Sequence, residues 1–146
     1  MRTFTIGFTG KNAGDFFKLL LDAKVACLLD VRLNNTSQLA GFAKKDDLRY
    51  FLRTIGDIDY QEVKELAPSK LILSSYQKGG IPWEKYEDLY LNEISRRSVE
   101  RLIEPKLFEQ ACLLCSEHEP HHCHRRLAVE YLNEKWNSQL NIKHLF

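Results

Sequence analysis

The chain has 146 residues, 44% hydrophobic and 28% charged, and a formal net charge of +1. That balance is ordinary for a soluble globular protein and argues against one held to nucleic acid by bulk charge. No run approaches the roughly 20 apolar residues of a membrane span, and the length suits one domain with one well-covered core.

Met1-Arg-Thr-Phe-Thr-Ile-Gly7 runs straight into a strand pattern, so no secretory signal is expected. The four cysteines, Cys27, Cys112, Cys115 and Cys123, are then expected to be reduced and the protein cytoplasmic. Thr3 to Thr9 predicts the first strand. Gly10 to Gly14 is a turn in which Asn12 suits a helix N-cap, with Asp15 in the first turn. Phe16, Phe17, Leu19, Leu20 and Ala23 form the apolar stripe of a helix reaching Lys24.

Val25 to Val31 is a nearly continuous apolar run, as in a strand buried on both faces of a parallel sheet. Asp30-Val-Arg32 ends it, and Leu33 to Lys44 is a polar loop long enough to suggest function or disorder. A helix follows over Asp46 to Thr54, with Leu48, Phe51, Leu52 and Ile55 on one side and Gly56 as its expected terminator. Ile58 to Val63 predicts a third strand, Lys70 to Gln77 a short helix, and Trp83 to Arg97 a longer one extending towards Ile103. Ala111 to Cys115 predicts the fourth strand, His122 to Trp136 the last long helix, and Ile142 to Phe146 a short terminal strand. This order predicts an α/β fold, a layered domain spanning residues 1–146 with a mostly parallel central sheet flanked by helices.

Chemistry concentrates after the fourth strand. Four of the five histidines and three of the four cysteines fall within residues 112–124. In open parallel sheets, sites form at the carboxyl ends of strands. That rule gathers the loops Thr9 to Asn12, Asp30 to Lys44 and Cys115 to His124. Cys123 stands at the start of the last helix, where backbone N–H groups and nearby cations lower a thiol pKa, making it a candidate nucleophile or redox thiol. His124 or Glu117 would serve as acid or base. At roughly 100° per residue, Leu127, Ala128, Tyr131 and Leu132 form the buried stripe, His124 and Arg125 flank it, and Arg126 points to solvent. His118, His121 and His122 read as solvated loop residues.

Asp30 and Arg32 share one strand face, either to orient a ligand or as a structural ion pair. Arg125 can bind phosphate or carboxylate, or bridge to a carboxylate of the protein. The spacing Cys115-x7-Cys123-His124 matches no specific zinc pattern; no residue is assigned as a metal ligand, and a Cys/His zinc site stands as a further alternative. Lys44, Lys45, Arg49 and Arg53 could touch nucleic-acid phosphates, but read more simply as a solvated face. Trp83, Tyr86 and Tyr90 at helical spacing read as core.

Thr5-Ile-Gly-Phe-Thr-Gly10, Leu29-Asp-Val-Arg32, Ser37-Gln-Leu-Ala-Gly-Phe42, Leu113-Leu-Cys-Ser-Glu117, Pro120 and Cys123-His-Arg125 together resemble the bacterial and archaeal family called domain of unknown function 488. The resemblance runs over nearly the whole chain and implies an α/β fold with the Cys-His-Arg turn near the Asp-Val-Arg strand end. It implies no particular activity. It carries Asp30, Arg32, Ser37, Cys115, Glu117, Cys123, His124 and Arg125 as site members. The chain departs from it at Gln38, where the family often has Arg, and at Phe8, where it often has Tyr or His.

The resulting expectation is an enzyme-like domain that binds a small anionic ligand or nucleotide, with phosphate as the favoured anion. Cys123, His124 and Glu117 would be its catalytic residues, and Asp30, Arg32, Ser37, Cys115 and Arg125 its ligand-binding residues. The alternative is a non-catalytic nucleic-acid-binding or ligand-sensing module. No cofactor and no oligomeric state follow from the residues.

Overall fold

A computed structural model describes residues 1–36, 41–116 and 121–146. Five strands, β1 (Arg2–Gly7), β2 (Cys27–Asp30), β3 (Asp59–Glu62), β4 (Ala111–Cys115) and β5 (Asn141–Leu145), form one sheet in the order β3-β2-β4-β1-β5. Every pairing is parallel, not merely most of them. The helices are α1 (Ala13–Asp22), α2 (Lys45–Gly56), α3 (Lys70–Gln77), α4 (Trp83–Arg97), α5 (Val99–Leu102) and α6 (His124–Lys135).

The chain leaves β1 in one direction along the sheet to reach β2 and β3, then returns in the other to β4 and β5. With crossovers of one hand, that reversal puts α1 and α2 on one face and α3 to α6 on the other. The buried residues divide accordingly. Phe4, Ile6, Leu28, Cys112 and Leu114 pack with Phe16, Phe17, Leu20, Leu48 and Leu52. Leu29, Val31, Ala111, Leu113 and Cys115 pack with Tyr86, Tyr90, Ile94, Leu127, Ala128 and Leu132. The period-two alternation along β2 and β4 thus supplies both cores from one set of strands.

Asn12 caps α1 as its sequence suggests, its Oδ1 accepting from the backbone N of Asp15 at 2.8 Å. Gly56 does not terminate α2 by adopting a left-handed conformation. Asp57 does, at φ 51° and ψ 42°. Gly56 instead lies close to Leu21: a Cβ there would stand 2.6 Å from Leu21 Cδ2, so a side chain would have to push that exposed leucine aside. The predicted continuation of α4 is broken by Ser98, which is left-handed at φ 53° and starts the short α5. No helix among the described residues is long and apolar enough to cross a membrane.

The register aligns the strand ends that matter. Gly7 lies opposite Cys115, and Asp30 lies opposite both Leu114 and Glu62. Backbone hydrogen bonds continue past the ladder, from Val31 N to Leu114 O at 3.2 Å and from Thr9 N to Ser116 O at 3.0 Å. The Asp-Val-Arg segment and the end of β4 are therefore held side by side at one edge.

Candidate functional site

Asp30 closes β2 and is saturated with partners. Its Oδ1 accepts from Arg32 Nε at 2.9 Å and from the Arg32 backbone N at 3.1 Å. Its Oδ2 accepts from Arg32 Nη2 at 2.9 Å, Asn35 Nδ2 at 3.4 Å and the Tyr60 hydroxyl. Burial, reinforced by the bond to Asp30, pushes the Tyr60 phenol far above its usual range, so it remains a donor. Asp30 and Arg32 are 1% and 2% exposed, a depth at which a charge persists only when paired. The pair is structural in its bonds, and it also holds the guanidinium in one orientation. Arg32 Nη1 is buried with no hydrogen-bond partner among the described residues.

On the other side of the edge, Cys115 is the last residue of β4, Cys123 is the N-cap of α6 and His124 is that helix's first residue. The structure joins the sulfurs of Cys115 and Cys123, eight residues apart, where the sequence reading expected reduced thiols throughout. Strand end and helix start meet here because α6 packs back across β4. Cys27 and Cys112 are free; burial pushes the Cys27 thiol up to about 11 and that of Cys112 further, which suits packing and not reaction.

His124 is buried, and its Nε2 lies 2.8 Å from the Val31 carbonyl oxygen. A carbonyl can only accept, so Nε2 carries the proton of this bond. Burial drags the His124 pKa down to about 4, leaving the ring neutral near pH 7 with its lone pair on Nδ1.

Arg125 is completely buried. Its Nε donates to Thr5 Oγ1 at 3.3 Å and its Nη1 to Cys115 Sγ at 3.4 Å. Thr5 Oγ1 in turn lies 2.6 Å from His144 Nδ1. This polar slot exists because β1 alternates Phe4 and Ile6 towards one core with Thr3 and Thr5 towards the other. Arg126 lies on the outward face as expected, but is only partly exposed. Its Nη1 bonds both carboxylate oxygens of Glu130 at 3.1 Å, and its Nε is buried.

Between the two halves lies a cavity of about 230 Å³, lined by Arg32, Leu33 and Asn34 on one side and Cys115, Ser116, Cys123 and His124 on the other. Leu73, Tyr76, Gln77, Trp83, Tyr86 and His122 complete the wall. His122 is not simply a solvated loop residue, since its ring stacks on Trp83 at 4.9 Å and 16°. A larger apolar cleft between α1 and α2, lined by Phe17, Leu21, Phe42, Phe51 and Ile55 among others, shares no residue with this one.

Of the predicted site residues, Arg32, Cys115, Cys123 and His124 line the cavity, while Asp30 and Arg125 lie behind it. Ser37 and Glu117 fall outside the described residues, as does Pro120. The sequence reading missed Tyr60 and Asn35 on Asp30, Thr5 and His144 beneath Arg125, and the aromatic wall. Thr3 and Thr5 were detectable as polar positions in an otherwise apolar strand; Tyr60 needed the parallel register of β3 on β2. The basic residues of α2 are largely engaged: Lys45 Nζ lies 2.7 Å from Glu62, Arg53 pairs with Asp57 and Asp59, and Arg49 lies over the Tyr60 ring.

No curated protein and no solved structure matches the chain. The profile of a family described as "Domain of unknown function DUF488" matches residues 12–132, a span that holds Asp30, Arg32, Cys115, Cys123, His124 and Arg125. The chain therefore belongs to the DUF488 family.

Proposed function

We infer that the chain, as a single domain over residues 1–146, is enzyme-like and binds a small anionic, phosphate-containing ligand at the carboxyl edge of the sheet. Arg32 would hold the anion over the sulfur and imidazole groups of Cys115, Cys123 and His124. The observation that carries this reading is Arg32 Nη1, a buried charged donor without a hydrogen-bond partner among the described residues, on a residue that lines the cavity. Burying such a donor unpaired is costly, and an anion would relieve the cost.

The cavity size bears on the ligand class. About 230 Å³ lies below the roughly 300–1,000 Å³ of drug-sized sites, which favours a compact ligand over a dinucleotide. His124, neutral and with Nε2 committed to Val31, suits an acceptor through Nδ1 better than a proton donor. Cys123 Sγ faces Cys115 Sγ and His124, so its chemistry as nucleophile or redox thiol would involve three groups acting together.

The test is alkylation of the reduced protein with iodoacetamide, with and without inorganic phosphate. We expect Cys123 to be modified faster than an ordinary thiol near neutral pH, and phosphate to slow it in a saturable way. A Cys123 no more reactive than a free thiol would remove the nucleophile role. A rate indifferent to phosphate would remove the anion site.

A further inference from the structure

We propose that in the reduced protein Cys115, Cys123 and His124 hold one zinc-type divalent cation, with a fourth coordination position open to the cavity. One ligand atom from each of the three residues lies within 4.8 Å of the other two. Bonds of roughly 2.0–2.3 Å to a tetrahedral zinc place ligand atoms some 3.3–3.8 Å apart, so once reduction frees the two sulfurs, their separation and side-chain rotation complete the site. Two thiolates and one imidazole are a soft donor set that selects zinc over magnesium or calcium. Three protein ligands with one position left open is the arrangement of catalytic zinc, not of closed structural zinc.

The surroundings fit the same assignment. The hydrogen bond from His124 Nε2 to the Val31 carbonyl fixes the ring and leaves Nδ1 as the nitrogen whose lone pair can face a cation. Metal-bound histidines commonly carry such a bond on their second nitrogen. Arg125 Nη1, 3.4 Å from Cys115 Sγ, is a charged donor suited to a thiolate. Cys115, Cys123 and His124 are 1%, 4% and 8% exposed, yet all three line the cavity, so the group is enclosed by protein on one side and open on the other.

The backbone frame points the same way. The Cα atoms of the two cysteines stand 7.4 Å apart, wider than the roughly 4.4–6.8 Å over which disulfides usually close. A cation between the two sulfurs accommodates a wider frame. The spacing of eight residues conceals the site in the sequence, because one thiol ends a strand and the other caps a helix.

The chemical balance is simple. The cation enters the dithiol form, each thiol losing its proton to solvent, and two thiolates with a neutral imidazole offset the double positive charge. Arg32 Nη1, which has no hydrogen-bond partner among the described residues, then offers a donor to an anion at the open position. Only this last point rests on the anion reading above; metal uptake does not.

The experiment uses the full chain, reduced with a phosphine, freed of reductant and equilibrated with equimolar zinc or cobalt(II) in phosphate-free buffer. Native mass spectrometry and absorption are the readouts. We expect one metal per chain and thiolate-to-cobalt charge-transfer absorption. Both are lost in Cys115→Ser and Cys123→Ser, weakened in His124→Asn, and retained in Cys27→Ser. Because a variant can fail to fold, the wild-type protein supplies a second comparison: oxidising Cys115 and Cys123 to the disulfide abolishes uptake, and reduction restores it. A reduced wild-type protein that takes up no metal overturns the proposal, as does uptake that survives in the oxidised form. Phosphate binding by the metal-free protein is measured separately, so metal uptake without phosphate binding sinks the anion reading alone, and the converse sinks the metal alone.

Discussion

The two halves of the carboxyl edge differ in how far their polar groups are committed. On the β2 side, Asp30 accepts from Arg32, Asn35 and Tyr60, and among the described residues one guanidinium nitrogen of Arg32 has no hydrogen-bond partner. On the β4 side, the sulfurs of Cys115 and Cys123 are joined to each other, and among the described residues His124 bonds Val31 and Cys115 accepts one long contact from Arg125. The first half is a scaffold whose stability depends on completeness. The second lines the cavity, and in our proposal its worth lies in the chemistry open to its sulfurs once they are reduced.

If that contrast holds, the largest stability loss comes from breaking the scaffold. Asp30→Ala strands Arg32, which is 2% exposed, and we expect a cost of about 3–5 kcal/mol in urea unfolding, the usual range for an orphaned buried charge. Little change in the unfolding midpoint would show that water or an anion already neutralises Arg32. His124 comes next. Its pKa falls from 6.5 when unfolded to about 4 when folded, so between those values the unfolded chain binds more protons. Stability is therefore complete above about pH 6.5 and lost as pH falls towards 4, by on the order of 3 kcal/mol in metal-free protein. The stability difference between the wild type and His124→Asn, followed from pH 7 to pH 4, isolates this contribution from the carboxylates. A difference that stays constant with pH would show that the imidazole is not held neutral.

Smaller effects sharpen the same contrast. Tyr60→Phe removes one donor from Asp30 while leaving the bidentate arginine. We expect about 1.5–3 kcal/mol, the range for a hydrogen bond to a charged group. Arg53→Ala removes ion pairs to Asp57 and Asp59 whose side chains are all about two-thirds exposed or more, and should cost about 0.5 kcal/mol or less. Thermal melts of the two variants rank them, and a larger loss for Arg53→Ala would refute the division between committed and uncommitted polar groups.

The layering was legible in the sequence because it rests on periodicity. The apolar runs Val25 to Val31 and Ala111 to Cys115 can satisfy two cores only as central parallel strands, and Trp83 to Arg97 shows its helical stripe. Half the site was legible for a related reason: strand ends collect at one edge, which brings Asp30, Arg32, Cys115 and Cys123 together before any coordinates are known. The remainder depends on the third dimension. Arg125 and Arg126 are adjacent in sequence, but only packing against β1 decides that Arg125 is wholly buried on Thr5 while Arg126 turns to Glu130. His122 reads as a loop residue until Trp83, some forty positions earlier, is found beneath its ring. Gly56 reads as a terminator until Leu21 is seen to occupy the place of its missing side chain.

In the proposed site Arg32, fixed by Asp30, holds an anion over the Cys-His floor. The most direct test is calorimetric titration of inorganic phosphate into the metal-free wild type and into Arg32→Lys, which keeps a cation for Asp30 but loses the guanidinium fork. We expect saturable binding at one site in the wild type. In the variant the affinity should be weaker by roughly tenfold or more, as the loss of a charge-assisted hydrogen bond implies, with the fold intact by circular dichroism. Equal affinity in the two folded proteins, or no saturable binding in the wild type, would contradict it.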